Sequence, residues 1–247
     1  MTIFAVSLLS GGLDSTVVTS YAARHVENLN ALTFEYGQSN LKEIACAKRI
    51  TSVMNINHRI IDISFVQSLS WYSSLTTPGD FQTPINRQTD EITTNIPITY
   101  VPLRNTIFLS LAAAALESEV LNEIENKQID KSKVSAKLFM APNSIDYSGY
   151  PDCRPEFFQS AQNTINLGSK LATEYDIPIE IVTPIIDKTK AEIIQMGIKL
   201  KSPINLTWSC YKDEEQPCNK CDSCILRSRG FSELGIADPS INTNQPQ

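Results

Sequence analysis

Short apolar runs alternate with longer segments of helical spacing over the first quarter of the chain. Ile3–Leu9, Ala31–Phe34 and His58–Ile63 are the short runs; Leu13 to about His25 and Leu41 to about Met54 are the longer ones. Short apolar runs bounded by turn residues read as buried strands, and apolar positions recurring every three or four residues read as helix. Alternation of the two at this length predicts parallel βαβ units and an α/β, doubly wound parallel sheet. Ser68–Ile96 breaks the pattern: Thr, Ser, Pro, Asn and Gln dominate, Trp71, Tyr72 and Phe81 are embedded, and a long loop or lid is expected. Regular structure resumes at Ile98–Val101, and a strong helix follows Arg104-Asn105 through Leu109, Ala112, Ala113 and Leu116. Glu117–Lys137 continues as polar helix or loop. Lys137–Ala141 and Ile179–Val182 are strand candidates, and Pro155–Tyr175 and Lys190–Met196 are helix candidates. From Gly235 the chain is short, polar and expected to fray.

One turn in this pattern carries chemistry. Ser10-Gly11-Gly12-Leu13-Asp14-Ser15-Thr16 joins the first strand to the first helix. Two glycines allow a tight turn and close backbone approach. Amide groups at a helix N-terminus bind anionic phosphate oxygens, with Ser10, Ser15 and Thr16 adding hydroxyls. Asp14 suits the Mg²⁺ that accompanies polyphosphate. The loop lacks the lysine of a P-loop and the third glycine of a dinucleotide fingerprint. Its bland alternative is an ordinary turn with a Ser or Asp cap.

Charge and cysteine usage narrow the partners. The 247 residues carry a formal net charge of −6, with no basic run, so a stable nucleic-acid partner is not expected. The apolar N-terminus is too short to span a membrane and has no basic leader. Of six cysteines, Cys210, Cys218, Cys221 and Cys224 crowd together. Four thiolates with Cys-x2-Cys turns suit a closed, structural Zn²⁺ site, and an iron–sulfur cluster is the competing ligand set. A metal-bound set rather than a disulfide framework points to the cytoplasm.

Further stretches carry a resemblance. They are Phe34-Glu35-Tyr36-Gly37-Gln38 with Glu43, Tyr100-Val101-Pro102-Leu103-Arg104-Asn105, Asp146 to Pro155 (DYSGYPDCRP), Thr183-Pro184 with Lys188 and Lys190-Ala191-Glu192, and Trp208-Ser209-Cys210-Tyr211. In order, from about residue 3 to Phe231, with the phosphate loop and the cysteines, they closely resemble the 7-cyano-7-deazaguanine synthase family of the ATP-pyrophosphatase (PP-loop) superfamily. After Gln38 this chain has Ser39-Asn40 where that family usually has a basic residue and a histidine.

The resemblance implies an adenine nucleotide α-hydrolase-like domain over 1–204 with a substrate-binding insert, a zinc-binding knob over 205–234, and a disordered tail over 235–247. It implies ATP-dependent conversion of 7-carboxy-7-deazaguanine and ammonia to the nitrile, through an adenylated carboxylate and an amide, in queuosine-type biosynthesis. A divergent nucleotide-binding protein of the same superfamily, defence-associated or tRNA-modifying, is the alternative. Asp14, Lys190 and Arg104 are the expected catalytic residues. ATP is expected on Leu8, Leu9, Ser10, Gly11, Gly12, Leu13, Asp14, Ser15, Thr16, Val17 and Val18, with Phe34, Tyr36 and Gln38 near the adenine. The base is expected on Asp146, Tyr147, Tyr150, Asp152, Arg154 and Lys188, because a purine-like ring needs acids to accept its N–H groups and aromatic faces to stack on. Structural Zn²⁺, Mg²⁺ with ATP, and a homodimer complete the implied set.

Overall fold

The computed structural model describes residues 1–88, 91–92, 95–144 and 149–241. Strands β1 (Thr2–Leu8), β2 (Asn28–Glu35), β3 (Asn57–Asp62), β4 (Val134–Phe139) and β5 (Ile179–Val182) form one sheet in the order β3-β2-β1-β4-β5. Every pairing is parallel. The chain winds outward from β1 in one direction and then from β4 in the other. A crevice therefore opens above the carboxyl ends of β1 and β4, where such sheets bind ligands.

The inner strands β1, β2 and β4 are largely buried on both faces, which is why they read as apolar runs, whereas the edge strand β3 stays partly exposed. Phe4, Val6, Leu8, Leu32, Phe34 and Leu138 face α4 (Arg104–Leu121), whose Leu109, Ala112, Ala113, Leu116 and Val120 make one apolar stripe. On the opposite face Ala5 and Phe139 meet α1 (Leu13–His25) and α7 (Lys190–Leu200), and Leu9 and Ala31 meet α2 (Lys42–Met54).

Several sequence expectations are corrected. Ile98–Val101 is a turn and not regular structure: Pro97 and Pro102 bracket it, and Tyr100 N–H donates to the Pro97 carbonyl at 2.9 Å. The 155–175 helix is two helices, α5 (Pro155–Gly168) and α6 (Lys170–Tyr175). They part at Ser169, whose hydroxyl caps α6 and donates to Glu117 at 2.8 Å. Residues 117–137 hold the end of α4, a π-helical turn over Asn122–Asn126 and the start of β4. The 68–96 loop, with its one-turn helix α3 (Val66–Leu69) just before, is tied down. Phe81 packs on Tyr72 with ring centroids 4.9 Å apart, Ile85 bridges to Cys221, and the Arg87 side chain donates to Asp222 at 3.0 Å.

The segment after residue 204 packs against the main sheet domain instead of hanging from it. Trp208 N–H donates to the Gly11 carbonyl in the phosphate loop at 3.0 Å. Helix α8 (Asp222–Glu233) lies against α7 at Gly230, where a Cβ would sit 2.6 Å from Lys190 Cγ and 2.8 Å from Ile194 Cδ1. The expected fraying from Gly235 does not hold through residue 241. Buried Arg227 on α8 gathers Asp238 and Ser240, donating to them at 3.0 and 2.9 Å, and also donates to Thr207 and Ser209 at 2.8 and 3.0 Å. Residues 242–247 lie outside the described residues.

Two stability predictions follow from this packing. Glycine in a helix interior ordinarily costs about 0.5–1 kcal/mol relative to alanine. Gly230→Ala should nevertheless destabilise by about 1–3 kcal/mol through overpacking against Lys190 and Ile194, as denaturant unfolding would show. For Asp238, burial opposes ionisation but Arg227 and Ser240 outweigh it and hold the carboxyl below its usual range. A depressed folded pKa adds stability above the unfolded value of about 3.9, and that stability is lost as pH falls through the folded value. Asp238→Asn should therefore cost about 3 kcal/mol at pH 7, with the gap to wild type closing in acid.

Candidate active site

The Ser10–Thr16 segment forms the tight glycine turn between β1 and α1. Gly11 has φ +93°, and a Cβ there would lie 2.1 Å from the Glu43 carbonyl oxygen, so only glycine lets the loop rest on the first turn of α2. Ser10 and Ser15 hydroxyls pair at 3.0 Å and brace the turn, and Gly12 N–H donates to Ser10 Oγ at 3.2 Å. The expected bland alternative, a side-chain cap, is absent: no side chain caps α1 at Gly12. The first-turn amides of α1 thus face the crevice with the helix dipole behind them.

Lys190 enters from α7. Its ammonium donates to both carboxylate oxygens of Asp14, at 2.8 and 2.7 Å, and its side chain is 9 % exposed. A capping box between Thr189 and Glu192 fixes the start of that helix, and the bare face of Gly230 makes room for the lysine stem. A cation and an acid of metal-ligating type are therefore held at the mouth of an uncapped helix.

The neighbouring wall is aromatic. Phe108 packs on Phe34 at 4.8 Å and edge-on to Tyr36 at 5.4 Å between centroids. Arg104, one turn before Phe108 on α4, donates to the Tyr36 hydroxyl at 3.4 Å. Gln38 bonds the Tyr36 amide at 2.8 Å, holding the turn beyond β2. Leu8, Leu9, Leu13 and Tyr150 also line the cleft. Tyr150 is buried, shares a 2.6 Å bond with the Thr99 hydroxyl, and is pushed up to about 12 by its burial.

Other expected site residues stand elsewhere. Thr16, Val17 and Val18 are fully buried, because the helical turn carries them past the cleft into the core. Gly11 faces α2. Asp152 is turned to structure: its carboxylate accepts Asn105 N–H at 3.3 Å, and burial raises its pKa despite Arg104. Arg154 is exposed at the entry to α5, and Lys188 is half-exposed beside Asp187; neither lines the cleft. Asp146 and Tyr147 lie outside the described residues. Cys153 lines the cleft as a thiol, pushed up to about 12 by burial and then by Asp152.

Sequence reading alone leaves Glu43, Phe108 and Tyr211 unassigned, although all three line the cleft. The helical step from Arg104 to Phe108 was the available signal for Phe108. The departure at Asn40 also has a structural use. Asn40 is buried outside the cleft lining and donates to the Cys210 carbonyl at 2.6 Å.

That bond tethers a metal-competent cluster. One sulfur each from Cys210, Cys218, Cys221 and Cys224 lie within 4.8 Å of one another. Cys218 and Cys224 are 4.0 Å apart. Four sulfurs so placed can hold one metal ion, and Cys221 and Cys224 stand at the start of α8.

The family model described as Queuosine biosynthesis protein QueC matches residues 4–235. The chain belongs to that family. It is 42% identical over 243 residues to a 7-cyano-7-deazaguanine synthase of Thermoplasma volcanium, covering 98% of this chain and 92% of that one. A synthase of the same name from Trichodesmium erythraeum is 42% identical, covering 95% and 98%. Among solved structures, a predicted subunit of tRNA methyltransferase from Methanocaldococcus jannaschii is 13% identical with a TM-score of 0.45, covering 96% of this chain and 91% of that one. So loose a likeness carries no argument. Among the described residues no helix is long and apolar enough to cross a membrane.

Cys221→Ser should abolish stoichiometric metal in the purified protein and lower the melting temperature. Elemental analysis and calorimetry would check both. Retention of a full metal equivalent would contradict the four-sulfur site.

Proposed function

We propose that this cleft converts 7-carboxy-7-deazaguanine to 7-cyano-7-deazaguanine at the expense of ATP and ammonia. The observation that carries the reading is the uncapped start of α1, set behind the serine-braced glycine turn and flanked by the Lys190–Asp14 pair. Near-full-length similarity to curated synthases supplies the substrate. ATP lays its phosphates on the loop and its adenine toward Phe34 and Tyr36. The substrate carboxylate attacks the α-phosphate and pyrophosphate leaves. Ammonia then displaces AMP to give an amide, and a second ATP activates the amide oxygen so that its loss yields the nitrile.

Each residue has a physical task. The α1 amides and Lys190 meet the charge that builds on the α-phosphate and the departing pyrophosphate, the dominant contribution in such chemistry. A bound phosphate would draw the Lys190 ammonium from Asp14, and Asp14 is the residue that would then help hold a Mg²⁺ accompanying ATP. Arg104 pairs with an anionic group at the aromatic wall. Asp146, Tyr147 and Tyr150 are the proposed base-recognition residues; Asp152 supports them by holding Asn105 at the start of α4, and Arg154 and Lys188 would reach the substrate only from outside the cleft lining.

Zn²⁺ is the metal we propose for the four sulfurs. Zn–S bonds of about 2.3 Å in a tetrahedron bring sulfurs roughly 3.8 Å apart. The 4.0 Å between Cys218 and Cys224 fits. With all four positions filled by protein, the ion supplies structure and not a reactive water. The proposed organisation is a nucleotide-binding part over 1–204 with a zinc-binding part over 205–234. We also propose a homodimer, which would cover the exposed Phe65, Leu69 and Leu103.

Incubation with ATP, Mg²⁺, ammonium and 7-carboxy-7-deazaguanine should give the nitrile with matched AMP and pyrophosphate. ATP left intact, or consumed without a new base, would overturn the reading. Lys190→Ala should lower kcat about 10²–10³-fold, as loss of one charge-stabilising donor does.

A further inference from the structure

The cleft contains an acid that none of the tasks above uses. Among the described residues lining it, the carboxylates are Asp14 and Glu43. Asp14 is neutralised by Lys190. Glu43, in the first turn of α2, accepts no hydrogen bond from any described residue and has no ion-pair partner within 4.0 Å, although its neighbours Arg104 and Cys210 act on it through space. Arg104, the cation that acts on Glu43 through space, donates to Tyr36 instead. Burial, opposed by Arg104 and aided by Cys210, pushes the Glu43 carboxyl up to about 8, so in the empty cleft it is largely protonated and a cation bound beside it is what holds it as a carboxylate.

Glu43 is half-buried, so its carboxyl meets the water of the open cleft, and a ligand that fills the cleft must replace that water with a partner of its own. Its position names the ligand. The Glu43 main chain is in direct contact with Gly11, so the side chain starts from the turn against which the α-phosphate is proposed to lie. The phosphates are anionic and cannot take a carboxylate as partner. With Mg²⁺ given to Asp14 and the N–H groups of the base to Asp146, the cation left for Glu43 is ammonium, the main form of ammonia at neutral pH, whose donors suit a carboxylate and which gives up one proton to water before its nitrogen attacks.

We infer that Glu43 is the seat of the ammonium substrate, holding that cation beside the phosphate loop where the adenylated carboxyl group forms. The inference rests on the synthase reading above. It makes Glu43 a binding residue for one of three substrates, and so its removal should be felt by ammonium alone.

The test uses the metal-loaded full chain and its Glu43→Gln variant, which keeps the side-chain shape and removes the charge. Substrate-dependent exchange of labelled pyrophosphate into ATP, measured without ammonium, comes first. Exchange in wild type establishes adenylation; its absence would sink the synthase reading, and this inference with it. With exchange present and equal in both proteins, the KM for ammonium should rise roughly 10- to 100-fold in Glu43→Gln, the loss expected for one charge-assisted hydrogen bond. The KM values for ATP and for 7-carboxy-7-deazaguanine should stay within about two-fold. Hydroxylamine, offered as an uncharged nucleophile in place of ammonium, should trap the adenylate about equally well with either protein. An unchanged KM for ammonium would overturn the inference. So would a rise in the KM for the deazaguanine instead, which would assign Glu43 to the amino group of the base, or an equal loss with both nucleophiles, which would assign it to structure.

Discussion

A lysine ammonium buried beside a turn built for anions is the constraint on which the rest of this molecule depends. Burying such a charge is expensive, and Lys190 bears it because Asp14 from the adjoining helix takes two of its protons in hydrogen bonds. The pair forms only if α1 and α7 start at the same edge of the sheet, and the strand order sets this by placing β5, which leads to α7, beside β4 and so near β1. It also needs room for the lysine stem. Gly230 provides that room from α8, so a residue that touches no ligand shapes the most charged point of the cleft.

The cysteine cluster belongs to the same construction. Two of its sulfurs open α8, the helix that carries Gly230, and the irregular segment before it bonds the glycine turn through Trp208. Asn40 clasps the Cys210 carbonyl from the other side, just before α2. The loop carrying Ile85 and Arg87 closes over Cys221 and Asp222. A metal ion placed there would fix how α8 lies on α7, and thereby where Lys190 points, without any contact with substrate.

What could be read from the sequence was chemistry held in a few adjacent residues. The glycine turn and the four cysteines carry their geometry in their spacing, and the buried parallel strands announce themselves as apolar runs. What could not be read depends on convergence from distant elements. Glu43 and Tyr211 reach the cleft from α2 and from the metal loop, and only the fold brings them together. Extending a motif along the chain misled for a similar reason. Val17 and Val18 follow the loop in sequence, but each helical residue turns about 100° from the last, which points them into the core. Proline overrode apolar composition at Ile98–Val101, and the serine cap at Ser169 broke a helix that periodicity drew as continuous. Asn40, a departure from the family pattern, stabilises the metal loop through a contact that no local motif encodes.

The central claim is that this cleft activates a carboxylate by adenylation. Substrate labelled with oxygen-18 in its carboxylate tests it most directly. The account predicts that AMP formed during turnover carries oxygen from the substrate, one labelled atom for each ATP consumed, while pyrophosphate stays unlabelled. Labelled phosphate with ADP as the nucleotide product, or labelled pyrophosphate with unlabelled AMP, would contradict it.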